Sequence, residues 1–161
     1  AAKNPDALIL LGDNVYIDHP ESPGMQRYKY YRRQARDEWR ALTGRTPVFA
    51  IYDDHDFGDN DVWGGPEIET PAWKRPAWKL FTRNWANPSY GGGDAQPGCW
   101  FQFSIADVDV FMLDGRYYRT GPDEATGKDR TMLGPVQKRW LLDALGQSKA
   151  TFKILASSVP W

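Results

Sequence analysis

Oxygen-bearing side chains stand together where the first apolar run of the chain ends. Within residues 11–16, Gly12 permits a sharp exit from a strand, and Asp13 then presents a carboxylate. Tyr16 follows three residues later and can bring its phenol oxygen to the same side of a turn. Both groups are hard oxygen ligands for a metal ion. The spacing fits equally well an Asp13 that caps the turn and a Tyr16 that packs against neighbouring side chains.

Four consecutive ionisable residues, 53–56, follow the second apolar run, 48–52. Their charges repel unless a cation or a proton balances them, and a metal ion is the simplest balance. In this interpretation Asp54 is a ligand, and His55, held by a hydrogen bond to Asp56, faces the reacting group as a proton donor or charge stabiliser. The oxygen-rich run continues beyond the cluster and suits Ca²⁺ or Mg²⁺. The alternative is an exposed acidic turn with a solvated histidine.

Two guanidinium groups follow a third apolar run. Arg116 and Arg119 lie three residues apart within residues 114–119. This spacing can place both on one face, where they would grip a carboxylate or a phosphate. A structural ion pair between Arg116 and a nearby aspartate is an equally good interpretation, and the two are compatible.

Apolar strands that alternate with helices must position these residues. Helices are predicted at residues 22–42, as one amphipathic helix, and at 134–148. Strands are predicted at 7–11, 48–52, 100–105, 108–113 and 151–156, with the first fully buried and the third and fourth forming a hairpin. This order predicts an α/β or α+β sandwich, a mixed β-sheet flanked by helices. The polar clusters all follow carboxyl ends of strands, where ligands collect in such sheets, so we expect them to converge on one site.

The segment from about residue 58 to 100 is rich in Trp, Gly and Pro. We predict that this segment, which we call the excursion, is a long loop with a short helix around residues 78–85. It would fold over the site as a substrate-side lid. Its large rings can form a stacking platform for a sugar, but rings in a long loop more often anchor that loop to the core. We favour the anchoring role.

Composition excludes several classes of protein. The length of 161 residues corresponds to about one domain. The net charge of −1 provides no basic field for nucleic acid, and the single cysteine, Cys99, cannot form an intrachain disulfide. No apolar run approaches the ~20 residues of a membrane span. Nucleic acid is therefore not the expected partner, and no membrane span is expected.

Taken in order and spacing, residues 11–16, 52–61 and 113–119 resemble the core of the PhoD-like alkaline phosphatases, a branch of the metallophosphoesterases. The Asp-Asp-His-Asp block at 53–56 is the specific part, and residues 133–158 are similar to the next stretch of that family. The resemblance covers essentially residues 1–161 and implies a single metallophosphoesterase catalytic domain that hydrolyses phosphate esters, both phosphomonoesters and phosphodiesters.

The resemblance also implies a site that pairs Fe³⁺ with Ca²⁺, with other divalent metals as substitutes. Asp13 would bridge the metals, Tyr16 would bind the iron, and Asp54 and Asn60 would be ligands on the calcium side. The catalytic and substrate-binding residues would follow the same pattern. They would be His55, which stabilises the transition state or protonates the leaving oxygen, Asp56, which orients it, and Arg116 with Arg119, which bind the phosphoryl group.

Members of this family draw further ligands from a strand before the Gly-Asp motif and from segments beyond the last strand seen here. We therefore expect the chain to be an internal and incomplete portion of a longer enzyme, extracellular or periplasmic as the family suggests. Two other functions remain open on the residues alone. One is a non-catalytic calcium-binding module with an aromatic surface for a glycan or protein, and the other is a metal-free hydrolase that uses His55 with an aspartate pair.

Overall fold

Two small β-sheets carry the segments that end in the polar clusters. The computed structural model describes residues 4–124, 127 and 130–160, so residues 1–3, 125, 126, 128, 129 and 161 of the predicted domain lie outside the described part. The strands, in chain order, are β1 (Leu8–Leu11), β2 (Val48–Ile51), β3 (Phe101–Ile105), β4 (Val108–Met112) and β5 (Phe152–Ala156). β1 and β2 pair in parallel, with Leu8 opposite Val48 and Leu11 opposite Ile51. β3 and β4 form the predicted antiparallel hairpin, and β5 adds in parallel to β4.

Helices fill the connections between these strands. They are α1 (Pro23–Gln34), α2 (Asp37–Thr43), α3 (Asp54–Phe57), α4 (Lys74–Asn84) and α5 (Gly134–Gln147). The mixed α/β architecture with a mixed sheet is therefore confirmed. Among the described residues, no helix is both long enough and apolar enough to span a membrane.

The prediction of one helix over residues 22–42 is wrong, because the chain breaks between α1 and α2. Arg36 adopts an extended conformation with ψ of 132°. The break turns Trp39 back toward the end of α1, where its ring packs edge-on against Trp85 and beneath the guanidinium of Arg33. Asp37 and Glu38 then occupy the first turn of α2, where the helix dipole favours acidic side chains.

The prediction that the first strand is fully buried is also wrong. Side chains alternate across a strand, and those of Ile9 and Leu11 are 37% and 46% exposed. Leu10 instead packs against the core. Within the described part of the chain β1 pairs with β2 alone, so the other edge of β1 has no strand beside it.

Aromatic side chains form about half of the main hydrophobic core. Phe57 and Phe81 both contact the ring of Tyr52, which is completely buried. Trp78 on α4 is buried and donates its indole N–H to the carbonyl of Gly98, while Trp100 is also buried. These rings fix the excursion to the core, as the anchoring interpretation predicts.

Candidate functional site

The loops that follow β1 and β2 touch each other where their polar residues begin. Gly12 has a φ of +108°, and a Cβ built on it would lie 2.4 Å from the Cβ of Asp53. Asp13 follows with a φ of +51°, in the left-handed region. Only glycine fits this close approach, and the turn carries the Asp13 carboxylate over to the second loop.

The Asp56 carboxylate ties the two loops together. It accepts hydrogen bonds from the backbone N–H groups of Asn14 at 3.1 Å and Val15 at 2.7 Å in the first loop, and of Asp53 at 3.1 Å in the second. The bond from Asp53 completes a capping box at the start of α3. Burial raises the pKa of Asp56 to about 7, although the three N–H donors act in the opposite direction.

The predicted hydrogen bond between His55 and Asp56 is wrong, because Asp56 is turned back toward the cap of α3. The partner of His55 is Asp18, whose carboxylate lies 2.5 Å from Nδ1. That hydrogen bond is the main cause that raises the pKa of His55, which is ordinarily near 6.5. Nε2 is the nitrogen left for a metal ion or a reacting group. Residue spacing held no signal for Asp18, since it lies in a loop with a φ of +49° and meets His55 only in the folded chain.

Three predicted residues converge as a cluster with the chemistry of a metal site. Asp13, Asp54 and His55 each offer a ligand atom, and these atoms all lie within 4.8 Å of one another. The Tyr16 hydroxyl donates a hydrogen bond of 3.1 Å to Asp13, and the Tyr16 ring stacks on His55 with centroids 4.2 Å apart. The four predicted side chains thus share one surface at the ends of β1 and β2.

The two carboxylates of this cluster have pKa values that are shifted in opposite directions. Burial raises the pKa of Asp13, and the neighbouring charges of Asp54 and Asp53 add to that effect. Burial also acts to raise the pKa of Asp54. However, the backbone N–H of Asp61 at 2.6 Å and the Arg116 guanidinium outweigh burial, so that pKa is lowered. Two carboxylates at such proximity favour a bound cation.

Arg116 forms the structural ion pair that was one of its two interpretations. Its Nε donates to Asp53 at 2.5 Å and its Nη1 to the carbonyl of Val62 at 3.1 Å. Its Nη2 lies 3.7 Å from Asp54, at the edge of the cluster. The buried carboxylate of Asp114 fixes this turn by accepting the backbone N–H groups of Arg116 and Tyr117, together with the Tyr52 hydroxyl.

Asn60 and Arg119 lie further along the same loops. Asn60 is exposed and donates its amide to Asp61 at 3.0 Å, while Asp61 is the residue whose backbone holds Asp54. The backbone carbonyl of Arg119 accepts a hydrogen bond from Gly65. These contacts leave the ligand role of Asn60 and the substrate role of Arg119 as predictions.

The first part of the excursion borders a cavity beside the cluster. The cavity has a volume of about 830 Å³, and Asn60, Asp61 and Trp63 line it together with Thr120 and Glu124. From α4 onward the excursion packs against the core through buried side chains such as Trp78, Phe81 and Trp85. Only the part before α4 is therefore placed where the predicted lid would act.

Lys74 holds this bordering segment in place, and sequence patterns held no signal for it. Its side chain is completely buried at the start of α4. Its ammonium donates to the carbonyls of Gly64 at 2.9 Å, Gly65 at 3.1 Å and Tyr117 at 3.0 Å, and also to that of Glu67. It lies 4.3 Å from the centre of the Tyr117 ring. A basic residue in a loop of mixed polarity gives no sign of such burial in advance.

Comparison with known proteins agrees with the geometry. A family model described as PhoD-like phosphatase matches residues 1–161. A solved structure of PhoD superimposes with a TM-score of 0.75 at 18% sequence identity, covering 95% of this chain and 36% of that chain. The two proteins thus share a fold, and the chain spans about a third of the length of its structural relative. No curated protein matches the sequence.

Proposed function

This chain belongs to the PhoD-like phosphatase family, and on that premise we propose that it provides a metal-dependent site for the hydrolysis of phosphate esters. The convergence of ligand atoms from Asp13, Asp54 and His55 within 4.8 Å carries the proposal. These residues come from loops after two different strands, which is where α/β proteins build their sites.

The donor set fits the metals that the family resemblance implies. Carboxylate oxygens suit Ca²⁺, and a phenol oxygen suits Fe³⁺. The Tyr16 hydroxyl already shares a hydrogen bond with Asp13, so both oxygens can face one ion. Asp18 orients the His55 ring through the hydrogen bond at Nδ1, so that Nε2 lies toward the carboxylates of the cluster without being assigned as a metal ligand. Fe³⁺ and Ca²⁺ are our first choices, with other divalent ions as substitutes.

The proposed reaction adds water across the ester bond. The water oxygen bonds to phosphorus, the bond from phosphorus to the ester oxygen breaks, and the departing oxygen takes up a proton. Bound metal ions would neutralise the phosphoryl oxygens and make a hydroxide available near neutral pH. His55 is the proton donor, because the hydrogen bond from Nδ1 to Asp18 favours the protonated ring and leaves Nε2 to face the ester.

Arg116 and Asp56 have supporting roles in this proposal. Arg116 holds Asp53 in place by a hydrogen bond and lies beside Asp54, whose pKa its charge helps to lower. Asp56 joins the loops that bear Asp13 and Asp54 and acts through backbone hydrogen bonds. We therefore treat both as positioning residues, and Arg119 remains the candidate for contact with the substrate.

The test combines metal content with turnover. Metal content is measured by mass spectrometry, and hydrolysis of a chromogenic phosphomonoester is followed with and without chelator. Both are measured on this chain, on the longer chain expected to contain it, and on Asp13→Asn of each. Asp143→Asn is the matched control, because Asp143 is an exposed aspartate on α5, outside the loops that carry the cluster.

The proposal expects chelator-sensitive hydrolysis that disappears in Asp13→Asn and persists in Asp143→Asn. Bound calcium without hydrolysis in either length would favour the non-catalytic calcium module instead. Hydrolysis that persists in chelator would favour the metal-free hydrolase.

A further inference from the structure

A stripe of basic residues runs along one side of α1 and ends at the start of α2. Lys29, Arg32 and Arg33 are spaced at i, i+3 and i+4, which places them on one face of α1, and Arg36 follows just after the helix ends and lines the same cavity. Amphipathic helices normally use this spacing for the residues that they bury. Here the same spacing carries three positive charges, to which Arg36 adds a fourth, in a chain whose net charge is −1.

This basic stripe faces a cavity that adjoins the candidate metal site. The cavity has a volume of about 370 Å³, and the stripe forms one wall while Asn14, Val15 and Tyr16 form the other. Tyr16 also bonds Asp13 and stacks on His55, so one side chain separates the cavity from the cluster. No acidic residue is among the described residues that line it.

The charges of the stripe are not neutralised within the described part of the chain. None of its four members forms a salt bridge there. The Arg33 guanidinium is held over the Trp39 ring at 3.8 Å, and its Nη1 is buried without a hydrogen-bond partner among the described residues. Like charges at this spacing repel one another. The dipole of α1 compensates Arg32 and Arg33 in the last turn, but it does not account for Lys29.

We propose that the basic stripe binds a second phosphate group of the substrate while the first lies at the metal cluster. Guanidinium groups bind phosphate through paired, charge-assisted hydrogen bonds, and the fixed Arg33 provides a rigid partner. The inference rests on the proposed function, and it narrows the substrate class to phosphate esters with a further phosphate near the scissile one. The stripe then acts as a specificity determinant.

The test compares two substrates that differ only in the second phosphate, 1,3-propanediol monophosphate and 1,3-propanediol bisphosphate. Release of inorganic phosphate gives kcat/KM for each in the metal-loaded protein. The variant is Arg32→Gln/Arg36→Gln, since both side chains are exposed in the structure. The matched control is Arg27→Gln, which removes an exposed charge from the opposite face of α1. Circular dichroism melts check that each variant folds.

The proposal expects kcat/KM to favour the bisphosphate, and this preference to fall about tenfold in the double variant and to persist in Arg27→Gln. It also expects the preference to weaken with added salt. Hydrolysis of both substrates with equal efficiency, or an unchanged preference in the double variant, would overturn the stripe proposal and leave the proposed function intact.

A second measurement applies if neither substrate is hydrolysed, a result that would count against the proposed function. Calorimetric titration of the bisphosphate into Asp13→Asn reports binding without turnover. Binding that weakens about tenfold when Arg32→Gln/Arg36→Gln is added would support the stripe as an anion site. Binding that is unaffected by those substitutions, or equal for monophosphate and bisphosphate, would reject it.

Discussion

Proton transfer at the candidate site depends on the pair formed by His55 and Asp18. The hydrogen bond to Asp18 raises the pKa of His55 above 6.5, so the folded state binds this proton more tightly than the unfolded state. The resulting stability is fully present below pH 6.5, and it is lost as pH rises through the raised pKa.

We predict that Asp18→Asn lowers the pKa of His55 in the metal-free protein. The His55 ring resonances, followed by NMR in chelator, should titrate at lower pH in the variant. The loss of unfolding free energy caused by Asp18→Asn should be larger at pH 6 than at pH 9. An unchanged His55 titration would show that Asp18 does not hold the protonated ring.

Asp56 lies in the predicted catalytic motif, but the contacts of its side chain stabilise the fold. Its carboxylate is buried and accepts three backbone hydrogen bonds. We predict that Asp56→Ala lowers the free energy of unfolding by about 3 kcal/mol, because it leaves buried N–H groups unpaired. Urea denaturation measures this loss. Asp59→Ala, at an exposed position, should change stability by less than about 0.5 kcal/mol, and equal losses in the two variants would contradict this role.

Sequence reasoning predicted which residues would gather at the ends of β1 and β2, but not the contacts that support them. Asp13, Tyr16, Asp54 and His55 follow strands directly, and parallel strands end at the same edge, so their approach was predictable from the pattern. The hydrogen-bond partner of His55 was not predictable, because consecutive residues of the helix α3 point in different directions and Asp56 therefore points away from His55. Asp18 reaches His55 through the path of a loop, which local spacing does not encode.

Among the secondary-structure elements, the helix α4 holds the excursion against the rest of the fold. Lys74 stands at the start of this helix and binds carbonyls of the bordering segment as well as that of Tyr117. We predict that Lys74→Met, which is similar in shape but cannot donate, destabilises the protein by about 3 kcal/mol. Urea denaturation again provides the measurement.

The same variant should also make the segment between residues 58 and 73 more sensitive to limited proteolysis. Lys79→Met is the control on the same helix, because the Lys79 side chain is 50% exposed. A Lys74→Met protein as stable and as resistant as Lys79→Met would show that the buried ammonium does not fasten this segment.

The order of elements was predictable, whereas the break between α1 and α2 was not. Strands and helices each follow a hydrophobic period, and the chain shows both clearly. The residues around Arg36 contain no proline or glycine to interrupt the helical pattern. The break is instead set by packing of Trp39 against Arg33 and Trp85, a tertiary contact that overrides local preference.

For the molecule as a whole, metal binding should contribute to stability. An ion that binds only the folded state at 100 times its Kd adds about 2.7 kcal/mol to the free energy of unfolding. We predict that chelator lowers the melting temperature of the wild-type chain and of Asp143→Asn, but not that of Asp13→Asn. A melting temperature that is unaffected by chelator in all three proteins would argue against a metal ion at the cluster.

The parallel pairing of β1 with β2 determines when, during folding, the candidate site can form. Leu8 pairs with Val48, so the two ligand loops meet only after the whole crossover through α1 and α2 has been made. During synthesis Asp13 therefore leaves the ribosome well before its partners, and the basic stripe follows before Asp54 does. Long-range pairing of this kind is slow to form. A nascent chain would thus acquire its affinity for metal late, and in the same step that brings the stripe against Tyr16.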